Sequence, residues 1–387
     1  PLLLTMEKNG ETIDAVEQIT KSGHVYFFHR ETGESIYPIE YIEVPDSDIP
    51  GEKLADTQPL PSKPAPFARQ IFTEDIVTQR TPATHDSVLH RLRQVRSGKQ
   101  FTPPSTEGTV IFPGFDGGGE WGGPAFDPET GIMYINSNEM AWILRLVKKS
   151  RESKILSSKE MYMNRCAACH RPDMQGTPPE FPSLIDIGKM RSTEDIRTVI
   201  TEGSGRMPGF PYLSAEAVDA ITEYILTGKE TTLELPELPA NPIDLDYTHD
   251  GYNKFLDPDG YPAVEPPWGT LNALDVNSGE YLWQIPLGEY PDLAEQGNDS
   301  TGSENYGGPV VTAGGLVFIG ATIYDSKFRA FDKSTGELLW ETTLPSPATA
   351  TPATYEVDGK QFVVIAAGGG KWGAPSGGSY IAFSLNQ

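Results

Sequence analysis

Through most of the chain, short apolar runs alternate with polar residues and are cut every few positions by Gly, Pro, Asn or Asp. That pattern predicts many short strands joined by tight turns. Three segments also repeat one another. Ala273 to Trp283 matches Ala330 to Trp340 position for position at a separation of 57 residues, and Phe27 to Tyr37 is a weaker copy with His29 in the Asp place and Tyr37 in the Trp place. Each copy reads as strand, turn, strand. Asp and Ser/Thr can bond turn amides, Gly supplies a positive φ, and the closing aromatic packs between sheets. Repeats of this period suggest propeller blades.

Between Lys148 and about Lys229 the alternation gives way to helical periods with capping signals. Ser157 or Ser158 opens a segment running into Cys166, Ser192 and Asp195 form a capping box for Ile196 to Thr201, and Ser214 caps a helix with Val218, Ile221, Tyr224 and Ile225 on one face. The polar stretch 148–154 and the Pro- and acid-rich stretch 231–242 read as linkers. The expected organisation is propeller blades over 1–148, a helical domain over 149–230 and further blades over 231–387. The helical unit is then an insertion between blades or within a blade loop.

The longest apolar stretches, such as Phe362 to Ala367 and Leu316 to Ile319, fall far short of the roughly 20 residues a membrane helix needs, so no transmembrane segment is predicted. At 387 residues the chain exceeds one typical domain. Its 54 acidic and 30 basic side chains give a formal charge of −24, which repels polyphosphate and argues against nucleic-acid binding. The sequence starts at Pro1 with neither an initiator Met nor a signal region, and reads as a fragment or processed product.

Both cysteines fall in one motif, Cys166-Ala167-Ala168-Cys169-His170. Two thiols at this spacing can form thioethers to the vinyl groups of a haem, and the adjacent His can ligate its iron, which makes this a haem c attachment site. A redox Cys-x-x-Cys needs no following His, and a zinc site needs two further ligands that no nearby Cys provides. Met207, in Gly203-Ser-Gly-Arg-Met-Pro-Gly209, is the candidate sixth ligand, in competition with Met174 and Met190. Its loop-then-helix placement resembles class I cytochromes c. His and Met ligation favours electron transfer at raised potential, and haem attachment implies a periplasmic or otherwise extracytoplasmic location, free or membrane-associated.

The flanking segments Asp14 to Tyr26, Phe112 to Pro124, Gly308 to Ala321 and Ala350 to Lys360 resemble the carboxy-terminal part of pyrroloquinoline-quinone (PQQ)-dependent dehydrogenases, in particular the glucose-dehydrogenase-like branch with an inserted cytochrome c. The resemblance implies an all-β fold, part of an eight-bladed propeller holding PQQ on its axis, with an inserted all-α class I cytochrome c domain. It implies that Lys21 lies against the quinone oxygens as a catalytic cation, that Glu120 and Trp121 belong to a segment lining the central cavity, that Asn305, just ahead of another such segment, binds the cofactor, and that Trp372 could face the axis. The family's catalytic aspartate and its Ca2+ ligands would precede residue 1.

The resulting expectation is part of a quinohaemoprotein dehydrogenase that oxidises an aldose or another alcohol and passes electrons from PQQ through haem c to a redox protein or respiratory chain. A non-catalytic propeller carrying an electron-transfer cytochrome is the alternative. A haem d1 nitrite reductase also pairs a cytochrome c with a propeller but lacks these Trp repeats.

Overall fold

The repeats fold as hairpins with shared turn chemistry. In the computed structural model, which describes residues 1–148, 155–178, 181–205, 207–234, 246–298, 300–370 and 374–385, the Gly336 amide donates to the Asp332 carbonyl at 2.9 Å, and the Ser334 and Thr335 amides donate to Asp332 Oδ1 at 2.8 and 2.9 Å. Gly279 repeats the closing bond to Asp275 at 2.8 Å. In the weak copy Gly33 donates to the His29 carbonyl, and His29 Nδ1 accepts the Glu31 and Thr32 amides at 3.2 and 3.3 Å. An imidazole nitrogen thus takes over the turn-capping role of the Asp carboxylate.

A fourth copy, over Ala125 to Tyr134, is closed by Gly131 donating to Asp127. Its aromatic comes one residue earlier, which hid it from the sequence comparison. The hairpins Gly269–Asp275/Glu280–Pro286 and Lys327–Asp332/Leu338–Thr343 each carry a β-bulge before the turn, whereas Ala125–Asp127/Ile132–Asn138 does not. The bulge adds one residue to the return strand. In all three, the alanine two places before the Asp pairs with the aromatic: Ala273 with Trp283, Ala330 with Trp340, Ala125 with Tyr134.

The chain divides into two compact units, Pro1–Ile143 with Asn253–Gln387, and Leu144–Tyr252. The first unit is a series of antiparallel sheets. Leu2–Lys8, Glu11–Ile19 and Val25–His29 form one. Val310–Val311, Leu316–Ile319, Lys327–Asp332 and Leu338–Thr343 form another, and Ala353–Val357, Lys360–Gly369 and Ser376–Phe383 a third. A four-stranded sheet pairs Ala125–Asp127, Ile132–Asn138, Gly269–Asp275 and Glu280–Pro286 in that order. Its two central strands run in full register from Gly269 opposite Asn138 to Asp275 opposite Ile132, although the whole second unit separates them in sequence. The insertion therefore interrupts a single blade.

Aromatic side chains close one blade on the next. A Cβ at Gly336 would lie 3.0 Å from the Trp283 ring, and one at Gly279 would lie 3.0 Å from Tyr37 Cζ. The last aromatic of one repeat thus covers the turn glycine of the next, and any side chain there would displace it. Sequence periodicity gave no sign of the helix Pro82–Leu92. It is capped by Thr81 in a reciprocal box with Thr84 and starts on Pro at N1, and it buries Val88 and Leu92 among Phe72, Val77, Phe255 and Trp268.

The second unit holds helices Ser158–Arg165, Ala167–His170, Thr193–Glu202 and Ala215–Thr227. Ser157 with Glu160 and Ser192 with Asp195 form capping boxes, and Ser214 caps the last helix at Ala217. The first and last long helices meet through Tyr162 and Tyr224, with ring centroids 5.8 Å apart, over a core of Met161, Ile196, Ile200, Val218 and Ile221.

Candidate functional site

In the second unit, the turn of helix that carries the cysteines opens onto a cavity of about 280 Å3. Cys166, Cys169, His170 and Met207 line it, with a mainly apolar wall that includes Leu184, Ile196, Ile200 and Phe210. Met207 lies in the two-residue strand Met207–Pro208, paired with Gly203–Ser204. Backbone contact fixes this hairpin. A Cβ at Gly203, where φ is +84°, would sit 2.6 Å from the Met207 carbonyl, and one at Gly209 would sit 2.5 Å from the Glu202 backbone. Met190 is 70% exposed, and neither it nor Met174 is among the residues lining the cavity.

His170 is buried, and its Nδ1 lies 3.0 Å from the Pro182 carbonyl. A carbonyl oxygen can only accept, so Nδ1 carries the proton and the ring is the tautomer whose Nε2 lone pair is free to ligate a metal. Burial, with Cys169 as a second cause, pushes the Cys166 thiol up to about 12, and burial also raises Cys169. Such thiols are poor thiolates, unlike the low-pKa cysteine of a dithiol redox motif. An apolar cavity with two adjacent thiols, one imidazole of fixed tautomer and one thioether on its wall fits a covalently held haem. Among the described residues, no group of three or more His, Cys, Asp or Glu side chains is arranged to hold a metal ion.

In the first unit, Lys21 occupies the tight turn Thr20–Gly23, closed by Gly23 donating to the Thr20 carbonyl, and its side chain is exposed. The glycine run Gly117-Gly118-Gly119 lies directly on this turn. Gly118 donates to the Lys21 carbonyl at 2.7 Å, and a Cβ at Gly117 would meet Lys21 Cβ at 2.7 Å. Immediately beyond the run, Glu120 is 9% exposed and Trp121 is 93% exposed. The glycine run thus seats the chain leading to Glu120 and Trp121 directly on the Lys21 turn, at positions where a Cβ would collide with it.

Asn305 is fully buried. Its Nδ2 donates to the Ser137 and Ser303 carbonyls, its Oδ1 accepts from Asn136, and its backbone amide donates to Asn138 Oδ1 at 2.7 Å. Asn138 in turn donates to Glu120 Oε1 at 3.4 Å. Asn305 therefore acts as an internal brace that positions Glu120 through Asn138. Trp372 lies outside the described residues. Sequence reasoning missed Asn136 and Asn138. Their signal was a pair of amides at alternate positions of an otherwise buried strand, where each must find a partner.

The family model described as glucose/ethanol/alcohol dehydrogenase, β-propeller domain, matches residues 1–183 and 227–363. The chain belongs to the PQQ dehydrogenase propeller family. A second model, described as cytochrome c oxidase, cbb3-type, subunit III, matches residues 154–225, so this quinoprotein propeller carries an inserted cytochrome c domain. The chain is 29% identical to the quinoprotein glucose dehydrogenase of Escherichia coli (strain K12), covering 100% of this chain and 40% of that protein. It is 28% identical to the quinate/shikimate dehydrogenase (quinone) of Acinetobacter baylyi, covering 98% of this chain and 39% of that protein. The quinohemoprotein alcohol dehydrogenase structure from Comamonas testosteroni matches 99% of this chain and 37% of its own at 16% identity, with a TM-score of 0.46. The chain thus spans about two-fifths of the length of these relatives. No helix among the described residues is long and apolar enough to cross a membrane.

Proposed function

We propose that this chain is the propeller-and-cytochrome portion of a quinohaemoprotein dehydrogenase that oxidises an aldose or another alcohol in the periplasm or elsewhere outside the cytoplasm. The observation that carries the reading is the cavity bearing Cys166, Cys169, His170 and Met207 in a unit spliced into one blade of a PQQ-family propeller. The propeller blades correspond to Pro1–Ile143 and Asn253–Gln387, so the blade boundaries expected at 148 and 231 move outward, and the cytochrome domain, 149–230, lies inside the second unit. When bound, PQQ supplies a two-electron hydride acceptor and haem c a one-electron carrier.

Cys166 and Cys169 would hold the haem, each adding its S–H across one vinyl group to give one thioether bond. The Pro182 carbonyl keeps the His170 proton on Nδ1, which leaves Nε2 available to hold a haem iron, and the Met207 sulfur would be its other protein ligand. With PQQ bound, Lys21 would balance negative charge on the quinone oxygens, Trp121 would contribute an aromatic contact, and Glu120, held by Asn138 and Asn305, would complete the same cluster. The holoenzyme would also carry Ca2+, and the electrons would pass to a redox protein or respiratory chain.

The test is steady-state turnover of the full-length holoenzyme with an artificial acceptor. Removing a preorganised charge of this kind costs about 10² to 10³ in rate. Lys21→Ala should lose turnover on that scale at unchanged haem content and thermal stability, and Lys21→Arg should retain more. Near-normal turnover in Lys21→Ala would remove Lys21 from the site. A wild-type holoenzyme that reduces neither quinone nor haem with any sugar or alcohol would favour the non-catalytic scaffold.

A further inference from the structure

Behind the Lys21 loop, the propeller unit contains a line of ionisable groups that hydride transfer does not use. Asp116 precedes the glycine that rests on Lys21. The Tyr306 hydroxyl, on a side chain that is 3% exposed, donates to Asp116 Oδ2 at 2.8 Å and lies 3.4 Å from Glu304 Oε1. Glu304 is 1% exposed; it accepts from the Tyr324 hydroxyl and from the Lys254 ammonium, each at 2.9 Å. The Lys254 side chain, 12% exposed, is also within 5.8 Å of the Trp142 ring centroid. Tyr324 stacks on Tyr290 at 4.5 Å.

A phenol has one proton, and here two carboxylates compete for it. Burial, with Glu304 and Asp116 next, raises the Tyr306 pKa far above that of a free phenol, so the side chain does not rest as a phenolate. It can pass a proton on only by taking another at the same moment. Burying an ion pair and two phenols is also a costly way to fill a core that apolar side chains would pack at least as well.

We propose that Asp116, Tyr306, Glu304 and Lys254 form the route by which protons leave the reduced quinone, an inference that rests on the quinone reading above. A quinol returning to quinone releases two electrons and two protons. Each electron reduces one ferric haem to ferrous, and the haem takes up no proton, so the protons need a base. In each transfer a quinol O–H bond breaks as an O–H bond forms on Asp116. Tyr306 then takes that proton while giving its own to Glu304, and Glu304 releases it to water beside Lys254. The carboxylates return to their starting state after each passage.

The test separates this half-reaction from substrate oxidation. Full-length holoenzyme is reduced completely with dithionite, desalted, and mixed with ferricyanide, a one-electron acceptor. Haem oxidation and the return of quinone absorbance are followed as two phases. Tyr306→Phe and Asp116→Asn should slow the quinone phase about 10²-fold relative to the haem phase, the scale of a lost proton-transfer group. Imidazole added as a small proton carrier should restore part of the rate, which a merely structural defect would not allow. A wild-type ratio of the two phases in Tyr306→Phe, or slowing that imidazole leaves untouched in both variants, would overturn the relay. Mixing the oxidised holoenzyme with D-glucose, glycerol or ethanol reads the substrate assignment separately, because the ferricyanide experiment needs no alcohol.

Discussion

Glu17 sits on the core face of strand Glu11–Ile19, between Ala15 and Ile19 and opposite Leu2 and Phe27, and is fully buried. Neither carboxylate oxygen has a hydrogen-bond partner among the described residues. Burial raises its pKa from 4.5 to about 8. The folded state therefore holds the proton where the unfolded chain has lost it. This contribution is fully present below about pH 4.5 and declines as pH rises toward about 8. Between those limits one proton separates the two states, and the slope is about 1.4 kcal/mol per pH unit. From pH 5.5 to 7.5 the loss is thus about 2.7 kcal/mol. All six Trp residues lie outside 144–252, so tryptophan fluorescence during urea unfolding reports the propeller unit. Glu17→Gln keeps the shape and cannot ionise. Its stability should decline less than that of the wild type over this range, by about the amount just given, with the difference largest at the alkaline end. Parallel pH curves for the two proteins would show that Glu17 is solvated or paired in the folded protein, and would refute the argument.

Gly336→Ala forces a φ of +75° on a residue with a Cβ and pushes that atom to 3.0 Å from Trp283; the same unfolding assay should show a loss of about 1–3 kcal/mol, and no change would mean the blade contact yields freely. Cys169→Ala, expressed with a periplasmic haem-attachment system, should severely impair covalent attachment, so that acid-acetone extraction removes haem that the wild type retains. Met207→Ala should keep haem attached but lower its midpoint potential and abolish the thioether charge-transfer band; if Met174→Ala or Met190→Ala does this instead, Met207 is not the ligand.

The repeat turns, the helical insertion with its Ser caps and the cysteine motif were legible because each is set by local chemistry. An Asp or Ser at a fixed offset from Gly or an acidic residue carries its own hydrogen-bond logic, whatever surrounds it. What the sequence concealed depends on pairing over long separations. The repeat ending at Tyr134 was hidden because a bulge elsewhere, visible only in the ladder, changes the residue count between Asp and aromatic. Asn305 was legible only by resemblance, as a cofactor contact, whereas its hydrogen-bond partners lie far off in sequence: both of its amide hydrogens are bound to backbone carbonyls, one of them at Ser137, 168 positions away. The Pro82–Leu92 helix went unread although Thr81, Pro82 and Thr84 spell its start, because its burial pattern is set by Phe255 and Trp268 from far along the chain.

The site of the insertion follows from the same pairing logic. Ile143 and Trp142 pair with Asn253 and Lys254, so the two points where the chain leaves and rejoins the propeller unit are neighbours in one ladder. Inside the second unit, Leu146–Lys148 pairs with Tyr247–His249, and Ile155–Ser157 pairs with Thr232–Glu234. Each ladder brings the arriving and departing strands together again. A domain whose ends are already adjacent adds little closure entropy to its host, because that cost grows only with the logarithm of the length enclosed. The blade can therefore retain its full register from Gly269 to Asp275 across the insertion. The same strand that ends at Asn138 carries the amide that holds Glu120. Asn253→Pro, which places a residue without an amide hydrogen opposite Ile143 at the point where the insertion closes, should therefore lower the urea midpoint read by tryptophan fluorescence, and an unchanged midpoint would show that this closing pair adds nothing to the propeller unit.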